Sequence, residues 1–181
     1  MPVSLDRPSA SSFEELAMPL FDQLYNFARW LTQDTAEAED LVQESYAKAL
    51  RGFSSFQQGT NFRAWMYRIL RNSFLSSRTG LKSTVALDAE EQEDVLPAES
   101  TTPESLLLAQ ANREMVQQAL GELPVHFREV LLLCEVEEMS YQEIAETLAV
   151  PAGTVMSRLF RARKALRGLL QRKLEGGRRG L

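Results

Sequence analysis

The chain has 181 residues, of which 44% are hydrophobic, and a formal net charge of −5 at pH 7. This length allows one large or two small domains, and the apolar content is normal for a globular protein with a buried core. The single cysteine excludes an intrachain disulfide, and the longest wholly apolar run, Val130–Cys134, is too short to cross a bilayer. Nothing resembles a secretion signal. We therefore expect a cytoplasmic protein without membrane insertion.

Charge is strongly segregated along the chain. Residues 13–44 carry eight acidic residues against one basic residue, and residues 45–79 carry six basic residues and no acidic one. Residues 80–103 carry six acidic residues against one basic, and residues 157–181 carry nine basic residues against one acidic. Blocks of this kind can be merely solvated faces. Their alternation favours two DNA-facing surfaces and separate protein-facing ones.

Apolar residues recur at helical spacing and no run alternates as a strand would, so an all-α fold is predicted. The predicted organisation is a flexible tail, a small helical domain, a flexible acidic linker, a second small helical domain and a short tail, at residues 1–11, 12–79, 80–103, 104–175 and 176–181. The linker is proline-bearing and lacks periodicity. The second domain is predicted to hold four helices, at about 104–120, 124–137, 141–148 and 152–174.

In the first domain, Pro19 is expected to kink a short helical turn or to start the main helix. Asp34 and Glu37 have the spacing of an N-terminal cap, and they predict a helix that ends near Gly52. A strongly aromatic and basic helix is predicted at about Asn61–Ser77.

That aromatic and basic helix belongs to a segment, Phe53–Phe74, in which rings and arginines interleave at short intervals. Exposed bases of single-stranded DNA stack on aromatic rings while arginines follow the backbone, so this mixture predicts a strand-binding surface. A base held outside the duplex loses stacking and pairing energy, which a pocket must offset. The alternative is that individual rings, Trp65 especially, are ordinary core residues.

Residues 139–166 predict two helices joined by a tight turn. Ser140 and Glu143 have the spacing of a capping box, and Pro151 suits the first turn of the second helix because its missing N–H would be unpaired there. The predicted buried positions are Ile144, Ala145, Leu148, Val155, Leu159, Ala162 and Leu166. The predicted outward positions of the second helix are Thr154, Ser157, Arg158, Arg161, Arg163 and Lys164. A DNA-reading helix requires such a division; a plain amphipathic hairpin is the alternative.

Three segments resemble the extracytoplasmic-function (group IV) sigma factors, the two-domain members of the sigma-70 family. They are AEDLVQESYAKAL at 38–50, FQQGTNFRAWMYRILRN at 56–72 and SYQEIAETLAVPAGTVMSRLFRARKALR at 140–167. They occur in the order and spacing of that family. The resemblance implies a factor that binds the β′ and β subunits of core RNA polymerase, recognises promoter DNA and is controlled by an anti-sigma factor.

The resemblance also implies roles for individual residues. Those matching the region that binds the β′ subunit are Asp40, Leu41, Gln43 and Glu44. Those matching the part that melts the −10 element and captures a flipped base are Phe56, Asn61, Arg63, Trp65, Arg68, Ile69 and Asn72. Those matching contacts to the −35 element are Thr154, Met156, Ser157, Arg158, Phe160, Arg161, Arg163 and Lys164, the last two at phosphates.

Catalysis by this chain is not expected, because the sequence has no glycine-rich phosphate loop, no clustered metal ligands and no nucleophile–base set. We accordingly predict no cofactor and no metal. One rival is an operator-binding repressor or activator, which accounts for residues 139–166 and leaves the 53–78 segment unexplained. Another is a helical adaptor protein, for which the basic faces would be incidental.

Overall fold

A computed structural model describes residues 10–79 and 112–179, which are helical apart from short connections and contain no strand. The chain divides into two compact units, the first within residues 1–84 and the second within residues 85–181. The all-α prediction is confirmed for the described residues. The predicted linker at 80–103 and most of the predicted tail at 1–11 lie outside them.

The first unit contains four α-helices. They are α1 (Ala10–Ala17), α2 (Phe21–Thr32), α3 (Thr35–Gly52) and α4 (Phe62–Thr79), with 3₁₀ turns at Met18–Leu20 and Phe53–Ser55. Pro19 lies in the first of these turns, where α1 and α2 join. The predicted α3 cap is confirmed, since the Glu37 backbone N–H donates to Asp34 Oδ1 at 2.8 Å.

The core of the first unit lies where α2, α3 and α4 pack together. Its fully buried side chains include Leu24, Phe27, Leu31, Met66, Tyr67, Leu70 and Phe74. A hydrogen bond joins α3 to α1. The Tyr46 hydroxyl donates to the Ala17 carbonyl at 2.7 Å and fixes the C-terminal end of α1. Burial, with a smaller contribution from the charge of Asp22, raises the pKa of Tyr46 to about 12.

The second unit contains four further helices in its described part. They are α5 (Arg113–Glu122), α6 (Val125–Leu131), α7 (Tyr141–Leu148) and α8 (Ala152–Arg179). The first three all pack against α8. A π-helical turn, Leu132–Val136, follows α6 directly, and Glu138 beyond it has a left-handed backbone with φ 52°. The prediction of a single α-helix at 124–137 is therefore wrong for its C-terminal part, where the backbone forms a π turn.

A buried arginine closes the junction between α5 and α6. Arg128 is 8% exposed. Its Nε donates to the Leu120 carbonyl at 2.7 Å, and its Nη2 donates to the carbonyls of Gly121 and Leu123 at 2.9 and 3.1 Å. These acceptors include carbonyls at the C-terminal end of α5 that lack partners within the helix. The guanidinium thus caps α5 and also stabilises the helix end as a positive charge.

The helix-turn-helix forms where it was predicted. The capping box of α7 is complete, since the Ser140 N–H donates to Glu143 Oε2 at 2.8 Å and the Glu143 N–H donates to Ser140 Oγ at 3.2 Å. α8 starts directly after Pro151, which is consistent with the predicted break. The helix continues to Arg179, so the prediction of a separate tail from residue 176 is wrong for residues 176–179.

The turn between α7 and α8 contains a residue with a strained backbone. Ala149 has φ 55° and ψ 45°, in the left-handed region where an L side chain crowds the carbonyl oxygen. Ala149→Gly is expected to raise the free energy of unfolding of the second unit by about 0.5–1 kcal/mol, because glycine adopts this conformation without the Cβ penalty. Urea unfolding followed by circular dichroism measures the change. Ala152→Gly, within α8, is the control and should not stabilise; an unchanged or lower stability of Ala149→Gly would contradict the prediction.

Candidate nucleic-acid interface

The outer face of α4 carries most of the residues predicted to contact a DNA strand. Trp65, Ile69 and Asn72 recur at intervals of three and four residues, which places them on one stripe of the helix, and Arg68 lies beside them. Arg68 and Asn72 are exposed, and Trp65 and Ile69 are half-buried. The opposite face fills the core. The residues are therefore brought together on an accessible surface, which we call the α4 face.

Asn61 stands at the start of this stripe and has a structural role that the sequence analysis missed. It immediately precedes α4, and its Oδ1 accepts a hydrogen bond from the Ala64 backbone N–H at 3.0 Å. This is the geometry of an N-terminal cap. A substitution of Asn61 would consequently weaken the helix as well as any contact with DNA, so it is a poor probe of binding.

The rings around the loop before α4 form a five-ring cluster, Phe13, Phe53, Phe56, Phe62 and Trp65. The ring centroids of Phe56 and Trp65 are 5.1 Å apart and those of Phe56 and Phe62 are 5.2 Å apart. Phe53 is 3% exposed, whereas Phe56 and Trp65 are half-buried. The cluster thus has a buried end and a solvent-accessible end. The same cluster therefore supplies core packing at one end and accessible aromatic surface at the other.

The arginines of α4 lie on different sides of the helix. The Arg63 guanidinium lies 5.6 Å from the centroid of the Tyr67 ring, a cation–π arrangement that holds it beside the helix. Arg68 is exposed one turn further along. Arg71, in contrast, is only 9% exposed and belongs to the packed side of α4. With six basic and no acidic residues between positions 45 and 79, this segment carries a positive formal charge.

A different surface is formed by α3, and it is acidic. Asp40, Gln43 and Glu44 are exposed on its outer side, and Glu44 is 2.6 Å from Lys48 Nζ. Leu41 is only 5% exposed, so the prediction that it contacts a partner directly is wrong. The reason is helical spacing, because Leu41 lies on the inward face that packs into the core.

One exposed residue on α3 was missed by the sequence analysis. Leu50 is 52% exposed, and it follows Gln43 by seven residues, which is two helical turns, so both lie on the same face. Leucine at the end of a helix normally predicts core, and only the spacing from Gln43 could have indicated otherwise. We call the surface formed by Asp40, Gln43, Glu44 and Leu50 the α3 face.

In the second unit, α8 presents an accessible polar side opposite its buried stripe. Met156 is 42% exposed and Lys164 is exposed. The residues of intermediate exposure on the same side are Thr154, Ser157, Phe160 and Arg161. Val155, Leu159 and Ala162 are fully buried as predicted. The helix therefore has the division between packing and recognition surfaces that a groove-reading helix needs.

Two arginines of α8 differ from their predicted roles. Arg158 is 3% exposed, so its assignment as an outward, DNA-contacting residue is wrong: it follows Val155 by three residues and therefore shares the inward face. Arg163 is half-buried and donates to Glu135 Oε1 at 2.7 Å from Nη2 and 3.0 Å from Nε. This ion pair joins α8 to the π turn, and it competes with the predicted contact to a phosphate.

The comparisons with known proteins agree with this geometry. Family models for sigma-70 region 2 and sigma-70 region 4 match residues 16–84 and 113–166. The chain is 38% identical over 167 residues to the ECF RNA polymerase sigma factor SigE of Mycolicibacterium smegmatis, covering 91% of this chain and 64% of that protein. It is 35% identical over 144 residues to the ECF RNA polymerase sigma-E factor of Salmonella typhimurium, covering 76% of this chain and 75% of that protein. The chain belongs to the ECF sigma factors.

Solved structures of similar fold include two proteins in complexes. The sigma factor RpoE of Bartonella quintana, solved with the anti-sigma factor NepR, superposes with a TM-score of 0.68 at 29% identity, covering 90% of this chain and 98% of that one. CnrH, solved with the cytosolic domain of CnrY, superposes with a TM-score of 0.65 at 25% identity, covering 91% of this chain and 90% of that one. The predicted resemblance to group IV sigma factors is thereby confirmed.

The family models locate the surfaces of this ECF sigma factor. Region 2 contains the α3 and α4 faces, and region 4 contains the helix-turn-helix with the first half of α8. Sigma factors are transcription initiation factors and not enzymes, as expected from the sequence. The rival interpretations as a repressor or an adaptor are set aside by the match to region 2.

The surroundings of Cys134 disfavour its thiolate form. It is half-buried within the π turn, and its Sγ is 3.8 Å from Arg163 Nη2. Burial raises the pKa of the Cys134 thiol, the charge of Glu135 raises it further, and Arg163 lowers it. A raised pKa reduces the thiolate fraction at neutral pH and hence the reactivity of the thiol.

Two kinds of feature are absent from the described residues. No helix among them is both long enough and apolar enough to traverse a lipid bilayer. Within residues 10–79 and 112–179, His, Cys, Asp and Glu side chains form no group of three placed to hold a metal ion.

Proposed function

We propose that this ECF sigma factor binds core RNA polymerase inside the cell and directs it to promoters, with region 2 melting the −10 element and region 4 binding the −35 element. The observation that carries the proposal is the pairing, within one small unit, of an acidic face on α3 with an aromatic and basic face on α4. A conventional repressor has no use for a strand-binding surface next to a protein-binding one.

The α3 face is proposed to bind the polymerase, through the β′ subunit. Its exposed carboxylates and Gln43 suit a basic and hydrogen-bonding partner, and Leu50 adds an apolar contact. Such a combination of an apolar anchor with a charged rim is typical of protein interfaces. The predicted contact with the β subunit lies beyond these residues and remains part of the proposal.

The α4 face is proposed to bind the displaced single strand of the −10 element. Phe56 and Trp65 provide accessible rings on which a base can stack, while Ile69 and Asn72 supply an apolar wall and an amide for hydrogen bonding. Arg63 and Arg68 lie where the backbone of the strand would pass. The energy gained by stacking and hydrogen bonding would offset the energy lost when a base leaves the duplex.

The exposed side of α8 is proposed to read the −35 element. Ser157, Arg161 and Lys164 lie on one stripe, with Thr154, Met156 and Phe160 next to it. Arg161 can form paired hydrogen bonds to a guanine in the major groove. Arg158 is excluded from direct contact by its burial, and Arg163 would have to leave Glu135 in order to reach a phosphate.

Control by an anti-sigma factor is the remaining part of the proposal. It is supported by the likeness to RpoE and CnrH, whose structures contain NepR and the cytosolic domain of CnrY. The chain's own surfaces make this mode of control plausible in physical terms, because a protein that covers the α3 face would compete with the polymerase.

Run-off transcription tests the proposed function. Purified protein is added to bacterial core polymerase that lacks any sigma factor, with a promoter library from the genome that encodes the chain as template. Start-site-specific transcripts are expected only when the protein is present. Tight binding to duplex promoter DNA without polymerase, together with no specific transcripts, would instead support a repressor.

Asn72→Ala tests the α4 face. Asn72 is exposed, so its removal should leave the fold intact while deleting hydrogen bonds to a captured base; we expect about a tenfold loss of open complexes. Permanganate footprinting of the −10 element measures the opening directly. Ser76→Ala, one turn further along α4 and also exposed, is the control. Unchanged opening with Asn72→Ala would remove this residue from the strand-binding surface.

A further inference from the structure

Phe13, on α1, has no role in the function described so far, yet it packs against the loop that precedes α4. It is 5% exposed. Its ring centroid is 5.3 Å from that of Phe53, with an interplanar angle of 68°, and 6.3 Å from that of Phe62, at 77°. Both contacts have the edge-to-face geometry that aromatic pairs prefer. Phe13 is thus the buried end of the five-ring cluster.

The middle of the cluster connects Phe13 to the accessible rings. Phe53 stacks on Phe56 with centroids 6.1 Å apart at an angle of 10°, and Phe62 meets Phe56 edge-to-face at 5.2 Å. Trp65 contacts Phe53 and Phe62 at 6.5 and 5.5 Å. A displacement of Phe53 or Phe62 would therefore move the two rings proposed to stack on the captured strand.

Three short-range hydrogen bonds lie within the loop between α3 and α4. Phe56 N–H donates to the Phe53 carbonyl at 3.1 Å, Ser55 Oγ donates to the Gly52 carbonyl at 2.7 Å, and Thr60 Oγ1 donates to the Gln57 carbonyl at 2.6 Å. Each of these bonds spans three residues, so it shapes the loop locally without fixing it to the rest of region 2. Ring packing, in contrast, joins the loop to α1 through Phe13 and to α4 through Phe62.

α1 is itself anchored, which allows it to act as a support. The Tyr46 hydroxyl holds the carbonyl of Ala17 at the C-terminal end of α1, one turn beyond Phe13. Phe13 and Ala17 are both buried and lie on the same face of the helix. The helix therefore presents its aromatic ring to the loop from a fixed position on α3.

We propose that Phe13 is a positioning residue for promoter melting: it supports the loop between α3 and α4 so that Phe56 and Trp65 are held ready for the unpaired strand. The proposal rests on the strand-binding role proposed above for the α4 face. Phe13 itself does not touch DNA. A loop that is already ordered loses less conformational entropy on capturing a strand. This saving matters most on a duplex, where capture must also offset the cost of unpairing, and least on a template that is already unpaired.

The test compares two templates with the holoenzyme reconstituted from core polymerase and the variant. One template is an ordinary duplex promoter, and the other carries a mismatched bubble across the −10 element, so that no melting is needed. Phe13→Leu removes the two edge-to-face ring contacts, and we expect about a tenfold loss of initiation on the duplex with less than about a twofold loss on the bubble. Equal losses on the two templates would overturn the proposal.

Phe74→Leu is the matched control. Phe74 is 1% exposed in α4 and lies outside the five-ring cluster, so its substitution costs packing energy without changing the loop. Any loss that it causes should be equal on the two templates. Core binding, measured by fluorescence anisotropy, is followed for each variant.

Should Phe13→Leu fail to fold, Phe13→Met keeps the apolar volume without the ring. Loss of core binding in both variants would mean that Phe13 is needed only for folding, and it would overturn the proposal.

Phe56→Ala separates failure of this inference from failure of the proposed function. It removes an accessible ring directly, and we expect the same selective loss on the duplex. If Phe56→Ala affects both templates equally, the strand-binding assignment of the α4 face is wrong. If it shows the selective loss while the Phe13 variants do not, only the supporting role of Phe13 is wrong.

Discussion

Replacing Asp40 and Glu44 together with lysine is expected to weaken binding to core RNA polymerase by at least about a hundredfold, because juxtaposed like charges at an interface cost several kcal/mol. Both carboxylates are exposed on the α3 face, so the substitutions leave the core of region 2 untouched. The new lysine at 44 would stand one turn from Lys48 and replace an ion pair with a repulsion, a cost of only about 0.2–0.5 kcal/mol to the helix. Fluorescence anisotropy of the labelled sigma factor with core enzyme, without DNA, measures the loss.

A matched control for this charge reversal is Glu114→Lys with Glu175→Lys. It changes the net charge by the same amount at two exposed positions of the other unit, on α5 and α8. Core binding of this control should remain within about threefold of the unsubstituted protein, since distant exposed charges are largely screened at physiological salt. Equal weakening by the two double variants would mean that net charge, and not the α3 face, governs the interaction.

Arg128→Met is expected to lower the free energy of unfolding of region 4 by at least about 3 kcal/mol. The substitution removes three charge-assisted hydrogen bonds to the carbonyls of Leu120, Gly121 and Leu123 and leaves buried acceptors without that donor. A small unit has a total stability of only about 5–15 kcal/mol or less, so a substantial fraction should be unfolded at growth temperature. Urea unfolding, with proteolysis to locate the loosened unit, measures the effect.

Arg128→Met should impair the function of region 4 and leave that of region 2 intact. Transcription that depends on the −35 element should be lost, while binding to core polymerase through region 2 persists. Arg172→Met is the control, because Arg172 is exposed on α8 and its substitution should cost less than about 0.5 kcal/mol. A stable Arg128→Met variant would show that the backbone carbonyls at the end of α5 accept hydrogen bonds from other donors.

The parts of the fold that depend on neighbouring residues could be predicted from the sequence. Asp34 and Ser140 cap their helices as expected because a cap is an interaction over three residues. Pro151 marks the turn after α7, but the left-handed Ala149 could not be predicted in this way because no glycine stands there. The π turn at Leu132–Val136 has no glycine or proline to mark it either.

The residues of the candidate site also differ in how far the sequence could predict their positions. The family resemblance implied Trp65, Ile69 and Asn72, and their spacing of four and three residues places them on one stripe of the helix. The burial of Leu41 and Arg158 depends on which face meets the core, and charge alone suggested the wrong side for Arg158. Contacts between distant segments, such as Phe13 with Phe53, leave no local pattern at all.

The dependence of region 4 on α8 has a consequence for biosynthesis. α5, α6 and α7 each pack against α8, so the core of region 4 is incomplete until that helix has left the ribosome. The described core of region 2 lies within residues 10–79, so it can form while translation continues. During that interval a nascent chain would expose a functional polymerase-binding face without a DNA-anchoring one, and any protein that captures region 2 early would prevent premature engagement of the polymerase.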